Sequence, residues 1–127
     1  MPKEELQEEI ESGVQFYGYD KASTVVAVMG IQLVGKVTLI RHAYTLTSHQ
    51  RQGIGSELIR YLISLTTTPC ILVGTWQRAS WAIQFYQNHG FKLHGRQETN
   101  KLLHKYWNIS QRQVENSLVL ELDRQIQ

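Results

Sequence analysis

The sequence has too few cysteines to be held together by disulfide bonds. Its single cysteine, Cys70, has no partner within the chain for a disulfide. No cysteine and histidine residues have the spacing of zinc ligands, so we expect no metal site. Cys70 opens a short apolar run, residues 70–73, where a buried and unreactive thiol is the ordinary expectation.

A strong excess of one charge and long apolar runs are also lacking. The formal net charge is +2 and the basic residues are scattered, which argues against nucleic acid or a membrane surface as a partner. No apolar run approaches the roughly 18 residues of a membrane-spanning helix, and the acidic N-terminus does not resemble a secretion signal. We therefore expect a soluble cytoplasmic protein.

The apolar pattern predicts a single α+β domain over residues 1–127. A mixed, mostly antiparallel sheet with one parallel pair and flanking helices follows from the element order. We expect helices at 2–12, 55–65 and 79–88, one or two helical turns at 101–107, and strands at 14–19, 24–33, 37–46, 70–76, 91–94 and 114–122. Turns are expected at 20–23 and 35–36, a bulge at Gly30, and a helix end at residues 89–90.

Two glycines mark the turn between the third strand and the helix that follows it. Gly53 and Gly55 let the backbone turn tightly, and the first N–H groups of a helix lack internal partners. With the helix dipole, such a turn favours a phosphate group. No Gly-Lys-Ser/Thr follows, which excludes a Walker A loop, and Leu58 stands where a dinucleotide fingerprint needs its third glycine. A plain tight turn remains the alternative.

Two motifs together resemble the GNAT superfamily of N-acetyltransferases. Residues 50–55 match its Q-x-x-G-x-G motif, and residues 85–91 match its F-Y-x-x-x-G-F motif. The resemblance implies a GNAT-like acyl-CoA N-acyltransferase fold, whose third and fourth strands splay apart, and acetyl-CoA as co-substrate without a metal. Pantetheine would pair with the end of the third strand, and the pyrophosphate would meet the N–H groups of the glycine turn. The residues so implied for acetyl-CoA binding are Tyr44, Thr45, Leu46, Gln50, Arg51, Gln52, Gly53, Ile54, Gly55 and Ser56.

The same resemblance assigns catalytic roles. Tyr86 would protonate the departing thiolate of coenzyme A; a tyrosine that only packs under the sheet is the alternative. The strands at 37–46 and 70–76 contain no carboxylate, so His42 is the evident general base in this region. A structural histidine at this position, or an amine that needs no residue base, stays open.

The acceptor side is less well determined. Trp76 and Trp81 would either wall an acceptor pocket or pack in the core, and Arg78 would either hold an anionic acceptor group or be solvated. Ala79 replaces an asparagine that contacts pantetheine in many family members. The N-terminal part is short by family standards, and an exposed first strand suggests a homodimer.

The expected function is transfer of acetyl from acetyl-CoA to a primary amine by direct attack in a ternary complex. The acceptor would be a small amine or an exposed amino group. The alternative is a non-catalytic acyl-CoA-binding module that acts as a sensor or scaffold.

Overall fold

A computed structural model describes residue 7, residues 10–45 and residues 53–124. The chain divides into two compact units, Met1–Thr67 and Thr68–Gln127. The prediction of one domain over the whole chain stays a prediction. No helix within the described ranges has the length and apolar character to cross a membrane.

The first unit is an antiparallel meander covered by one helix. It contains the strands β1 (Val14–Lys21), β2 (Thr24–Val34) and β3 (Val37–Thr45) and the helix α1 (Ile54–Leu65). The strands pair in the order β1-β2-β3, as predicted, and α1 packs against β1 and β2. Most of the helix predicted at residues 2–12 lies outside the described residues; Gln7, Ile10 and Glu11 within it are helical.

The turn between β1 and β2 is shorter than the predicted four residues. Asp20 and Lys21 still belong to β1 and pair with β2. Only Ala22 and Ser23 form the turn, and both have positive φ, 53° and 66°. Two consecutive left-handed residues give a hairpin turn whose twist matches that of the strands, so pairing continues up to the turn.

A bulge interrupts the pairing of β2 with β3, as Gly30 predicted. Val28 pairs with Tyr44 and Gly30 with Arg41, so one residue of β2 faces two residues of β3. The extra residue is therefore on β3, where His42 has a left-handed φ of 55°. At Gly30 a Cβ would lie 2.9 Å from the carbonyl oxygen of Arg41, so the two backbones approach too closely for a side chain.

The second unit is an antiparallel sheet with three helices. Its strands are β4 (Cys70–Trp76), β5 (Lys92–Leu93) and β6 (Ser117–Asp123), in the order β4-β6-β5. Its helices are α2 (Ser80–Asn88), α3 (Arg96–Tyr106) and α4 (Gln111–Glu115). The bounds of β4 are those predicted, and β5 is shorter than the predicted 91–94.

Two predictions in this unit were wrong. The helical turns predicted at 101–107 are a full helix that begins at Arg96. The strand predicted from Val114 begins only at Ser117, because Val114 lies in α4. A capping box starts that helix: Ser110 Oγ accepts from the Gln113 N–H at 3.2 Å, and the Ser110 N–H donates to Gln113 Oε1 at 3.0 Å.

Each unit buries its own set of aliphatic side chains. In the first unit the most deeply buried are Val26, Leu39, Ile59 and Leu62. In the second they are Ile71, Leu72, Leu103, Val114, Val119 and Leu120. Burial of this apolar surface is the main driving force that holds the helices on the strands.

Candidate functional site

The glycine turn places the start of α1 in a left-handed conformation. Gly53 is the N-cap, with φ 77° and ψ 2°, and its carbonyl accepts the first helical hydrogen bond from the Glu57 N–H at 3.0 Å. An added Cβ would meet nothing within 4 Å, so it is the backbone conformation that calls for glycine. Gly53 supplies no capping side chain, which leaves the first N–H groups of α1 for another acceptor.

The apolar face of α1 holds this turn in place. Ile54, the first residue of the helix, is 4% exposed, and Leu58, Ile59 and Leu62 continue the buried face. Gly55 is half-buried, which leaves its backbone partly accessible. The buried side chains thus hold the turn in one conformation. An anion site that is formed before the ligand binds requires such support.

One carboxylate lies close to the turn. Glu57 is in the first turn of α1, and Tyr19 of β1 hydrogen-bonds to it. This hydrogen bond, with the negative charge of Glu57, raises the pKa of Tyr19. The negative charge opposes an anion at the helix start, so the backbone N–H groups must supply the attraction.

Four of the predicted acetyl-CoA residues lie outside the described residues: Leu46, Gln50, Arg51 and Gln52. Of the others, Tyr44 and Thr45 end β3, where they pair with Val28 and Ala27 of β2. Tyr44 is 62% exposed. The predicted roles of all these residues stay predictions.

His42 owes its position to the bulge in β3. The left-handed φ of this residue redirects the side chain, as bulges near active sites commonly do. Its half-buried ring packs on Phe16 of β1, with ring centroids 6.0 Å apart and an angle of 31° between the planes. The ring is therefore held in a defined place, and its role as general base stays a prediction.

Tyr86 lies within an aromatic cluster of the second unit. It is 5% exposed, and its ring centroid lies 5.1 Å from that of Phe85 and 5.5 Å from that of Phe91. Burial raises the pKa of Tyr86 to about 12. Within the part of the chain that the structure describes, no group hydrogen-bonds to its hydroxyl. The phenol therefore keeps its proton near neutral pH, and its hydroxyl hydrogen-bonds to none of the described residues.

The rest of the F-Y-x-x-x-G-F motif builds the end of α2. His89 is the C-cap and Gly90 has a φ of 92°, which turns the chain back. The Phe91 N–H then donates to the carbonyl of Tyr86 at 3.1 Å, and the Phe91 ring is buried against the Tyr86 ring. Gly90 and Phe91 thus fix Tyr86, which gives the motif spacing a physical cause.

The two tryptophans on either side of the loop after β4 are exposed. Trp76 is 63% and Trp81 75% exposed, so the interpretation that they pack in the core is wrong. Arg78 between them is exposed as well, whereas Ala79 is 5% exposed. Ala79 is the N-cap of α2 and provides no side-chain cap.

Arg96 is a residue that the sequence analysis did not single out. Its guanidinium donates to Gln77 Oε1 at 2.9 Å, to the carbonyl of Val114 at 2.9 Å and to Asn100 Oδ1 at 3.2 Å. It therefore ties the loop after β4 to α3 and α4. No sequence signal points to it, since its two more distant partners are 18 and 19 residues away along the chain.

The single cysteine is poorly suited to nucleophilic chemistry. Burial, with the neighbouring charge of Glu121, raises the pKa of the half-buried Cys70 to about 12. The thiolate is the reactive form, so the thiol is inert near neutral pH. Among the described residues no cluster of His, Cys, Asp or Glu could hold a metal ion.

Comparison with known families shows to which family the chain belongs. A family model described as "Acetyltransferase (GNAT) domain" matches residues 12–93, more than half of the sequence. The chain belongs to the GNAT acetyltransferase family. The matched range includes the glycine turn of α1 and the F-Y-x-x-x-G-F motif of α2, which confirms the family resemblance.

Solved GNAT structures resemble the whole chain. A GNAT family acetyltransferase from Elizabethkingia anophelis with acetyl-CoA bound has 19% identity and a TM-score of 0.73, with 96% of this chain and 83% of that chain covered. The ribosomal-protein-S18-alanine N-acetyltransferase from Escherichia coli has 15% identity and a TM-score of 0.76, with 100% and 79% covered. A Bacillus subtilis acetyltransferase in complex with CoA has 20% identity and a TM-score of 0.70, with 95% and 83% covered.

This likeness confirms the predicted fold class of the GNAT chain. The fold is that of the acyl-CoA N-acyltransferases. The predicted co-substrate agrees with the acetyl-CoA and CoA bound in the structures from E. anophelis and B. subtilis. Family membership thus supports acetyl transfer from acetyl-CoA.

Proposed function

We propose that this GNAT protein is a cytoplasmic N-acetyltransferase that moves the acetyl group of acetyl-CoA to a primary amine by direct attack in a ternary complex. The observation that carries the proposal is Tyr86, a buried phenol with a pKa of about 12 whose hydroxyl has no hydrogen-bond partner among the described residues. The hydroxyl oxygen is not among the buried polar atoms that lack a partner, so a ligand can reach it and accept its hydrogen bond.

Direct attack is favoured over a covalent acetyl-enzyme. The sequence has one thiol, Cys70, and burial raises its pKa to about 12. A thiol that keeps its proton is a weak nucleophile toward a thioester. The amine itself is therefore the attacking group in the proposed reaction.

The donor half of the site is the glycine turn. The N–H groups at the start of α1 would bind the pyrophosphate, with Gln50, Arg51 and Gln52 completing the loop. The backbone at the end of β3 would pair with pantetheine, which is a form of β-strand addition by a ligand. An N–H near Thr45 would polarise the thioester carbonyl, and such a donor is typically worth about 2.7–4 kcal/mol.

Tyr86 would donate to the sulfur of the departing coenzyme A thiolate. A phenol with a pKa of about 12 does not readily give its proton to a solvated thiolate, whose pKa is about 8.5. A thiolate formed in a dry site also has a raised pKa, because burial disfavours its charge in the same way. The phenol and the sulfur are thus better matched within the protein than in water, and Tyr86 donates a hydrogen bond or a proton to the sulfur.

Removal of a proton from the acceptor amine requires a base. Neither β3 nor β4 contains an Asp or Glu, and His42 is the base that we assign. The lack of a carboxylate on these strands also favours the second candidate, a non-catalytic acyl-CoA-binding module.

The acceptor would be a small amine or an exposed amino group. An amino acceptor fits the family, since the E. coli structure is named for the alanine of a ribosomal protein.

Thiol release with an amine panel tests the proposal. The protein is incubated with acetyl-CoA and each amine, and free coenzyme A is followed over time. We expect release that depends on the acceptor. Binding of coenzyme A without turnover on any amine would instead support the binding module.

Tyr86→Phe tests the assigned acid. Loss of a general acid typically costs 10²–10⁴-fold, so we expect kcat to fall about 100-fold with the Kd for acetyl-CoA little changed. Tyr106→Phe, a change to the half-buried tyrosine that ends α3, is the matched control and should keep wild-type kcat. Full turnover of Tyr86→Phe would remove the role of Tyr86 as acid.

A further inference from the structure

The second unit exposes one group of side chains suited to ligand recognition. Trp76 at the end of β4, Arg78 in the loop and Trp81 at the start of α2 are all exposed. We refer to these three residues as the tryptophan–arginine patch. Within the described part of the second unit, Trp76 and Trp81 are the only large apolar side chains classed as exposed.

The backbone beneath the patch is fixed by hydrogen bonds. The Ala79 N–H donates to the carbonyl of Trp76 at 3.0 Å, which closes a tight turn around Gln77 and Arg78. The Gln77 N–H donates to the carbonyl of Asn116 at 2.8 Å. The loop thus has defined partners on both sides of Arg78.

Arg96 reinforces the same loop from below. Its guanidinium joins Gln77 to the carbonyl of Val114, at 2.9 Å each. A surface that is ordered before binding loses less entropy when it takes up a ligand. Hydrogen bonds that hold the loop in one conformation are expected of a surface that recognises a ligand.

The charge of this segment favours an anion. Residues 68–97 contain no Asp or Glu, and Arg78 is flanked in sequence only by neutral side chains. Glu115 precedes Asn116, the backbone partner of the loop; it is exposed and accepts from Gln111 Nε2 at 3.4 Å. The Arg78 guanidinium forms no hydrogen bond or ion pair within the described residues.

We propose that the tryptophan–arginine patch binds the acceptor, and that the acceptor is a primary amine that carries a carboxylate and an apolar body, as an aromatic amino acid does. Arg78 binds the carboxylate through a charged, planar donor pair. The indole rings cover the apolar body and attract the ammonium group in which the amine arrives. This inference rests on the proposed function and narrows its acceptor.

Two amines that differ by a single carboxylate test the inference. Phenylalanine and phenylethylamine are compared as acceptors, with kcat/KM measured for each amine at saturating acetyl-CoA. We expect wild-type protein to prefer phenylalanine at least about 10-fold, the range that a charged hydrogen bond provides. Arg78→Gln should abolish the preference and leave the KM for acetyl-CoA unchanged.

Matched variants separate recognition from damage to the fold. Arg112→Gln changes another exposed arginine of the same unit and should keep the preference. Trp81→Ala should raise the KM for both amines, and Trp81→Phe should restore most of the loss. Tryptophan emission gives a readout without turnover: phenylalanine should quench it in the wild-type protein and not in Arg78→Gln.

The outcomes distinguish the two proposals. Acetylation of both amines with equal kcat/KM, or a rise in the KM for acetyl-CoA in Arg78→Gln, would overturn this inference and leave the proposed function standing. Quenching by phenylalanine alone, with no acetylation of any amine, would support the ligand class and overturn the proposed function. The absence of quenching by phenylalanine would overturn the inference directly.

Discussion

Tyr86 keeps its proton because its phenol is packed among aromatic rings. The rings of Phe85 and Phe91 exclude water from it, and the ionised form would lose hydration without gaining a partner. Its pKa of about 12 means that the group is a neutral donor throughout the physiological range. Because burial raises this pKa only in the folded protein, the free energy of unfolding depends on pH.

Stability should fall with rising pH between about 10 and 12. Below pH 10 both folded and unfolded chains keep the Tyr86 proton; above it the unfolded chain, with an ordinary pKa of about 10, loses its proton first. Each unit of difference is worth about 1.4 kcal/mol, so the contribution of Tyr86 to the free energy of unfolding should fall by about 2–3 kcal/mol by pH 12. Urea midpoints measured from pH 9 to 12 check this.

Tyr86→Phe isolates this contribution, since Cys70 titrates equally in both proteins. The variant should lose less stability than the wild type over the same pH window. Tyr106→Phe should follow the wild type. Parallel curves for Tyr86→Phe and the wild type would show that the Tyr86 proton is not linked to folding.

At the scale of elements, two glycines with a left-handed φ provide a comparison. Gly53 begins α1 with a φ of 77°, and Gly35 joins β2 to β3 with a φ of 59°. At both positions an added Cβ meets nothing within 4 Å. The strain of a substitution is therefore similar, and only the turn at Gly53 is assigned to acetyl-CoA.

Gly53→Ala and Gly35→Ala should separate stability from binding. Each should lower the free energy of unfolding by about 1–2 kcal/mol, the cost of a left-handed alanine. Only Gly53→Ala should also weaken acetyl-CoA binding, by about 5-fold or more, because strain at the N-cap displaces the N–H groups of α1. Calorimetric titration measures the Kd values. Equal affinity in the two variants would contradict the pyrophosphate assignment.

Local pattern predicted the strands and helices where one kind of signal dominated. The apolar run of β4 predicted that strand, and Gly53 before α1 predicted the turn that starts the helix, because burial and left-handed turns leave clear sequence signals. Val114 was misplaced because an apolar residue fits a strand and a short helix equally well. The spacing of Ser110 and Gln113 was the signal for α4, and it was visible in the sequence.

At the scale of the whole molecule, the sequence revealed the donor side of the reaction better than the acceptor side. The two motifs that carry the family resemblance are short continuous segments, residues 50–55 and 85–91, which the sequence shows directly. Acceptor recognition depends on which side chains the fold exposes, and Trp76 and Trp81 could not be separated from core residues by sequence. Arg96 was missed for the same reason, because its contacts join segments far apart in the chain.

The end strand of the first unit bears on assembly. β1 pairs only with β2 within the described residues, and Gln15 of β1 is exposed. An unpaired edge with few charges is a template for pairing with another strand. We propose a homodimer formed through β1.

Light scattering on a size-exclusion column tests the dimer. A dimer of the 14.7 kDa chain has twice that mass, about 29 kDa. Gln15→Lys places a charge on β1 and should shift the mass to that of the monomer. Gln111→Lys, at an exposed glutamine of α4, should leave it unchanged. A mass of 14.7 kDa at all concentrations would exclude the dimer.

Because Cys70 stays protonated, the protein itself should not react in an assay that detects free thiols. With a pKa of about 12, only on the order of one Cys70 in ten thousand carries a thiolate at about pH 8. A chromogenic disulfide reagent present during turnover is consumed by thiolates and should therefore spare this side chain. The absorbance then reports released coenzyme A alone, and the unmodified sequence can be assayed continuously without replacing its cysteine.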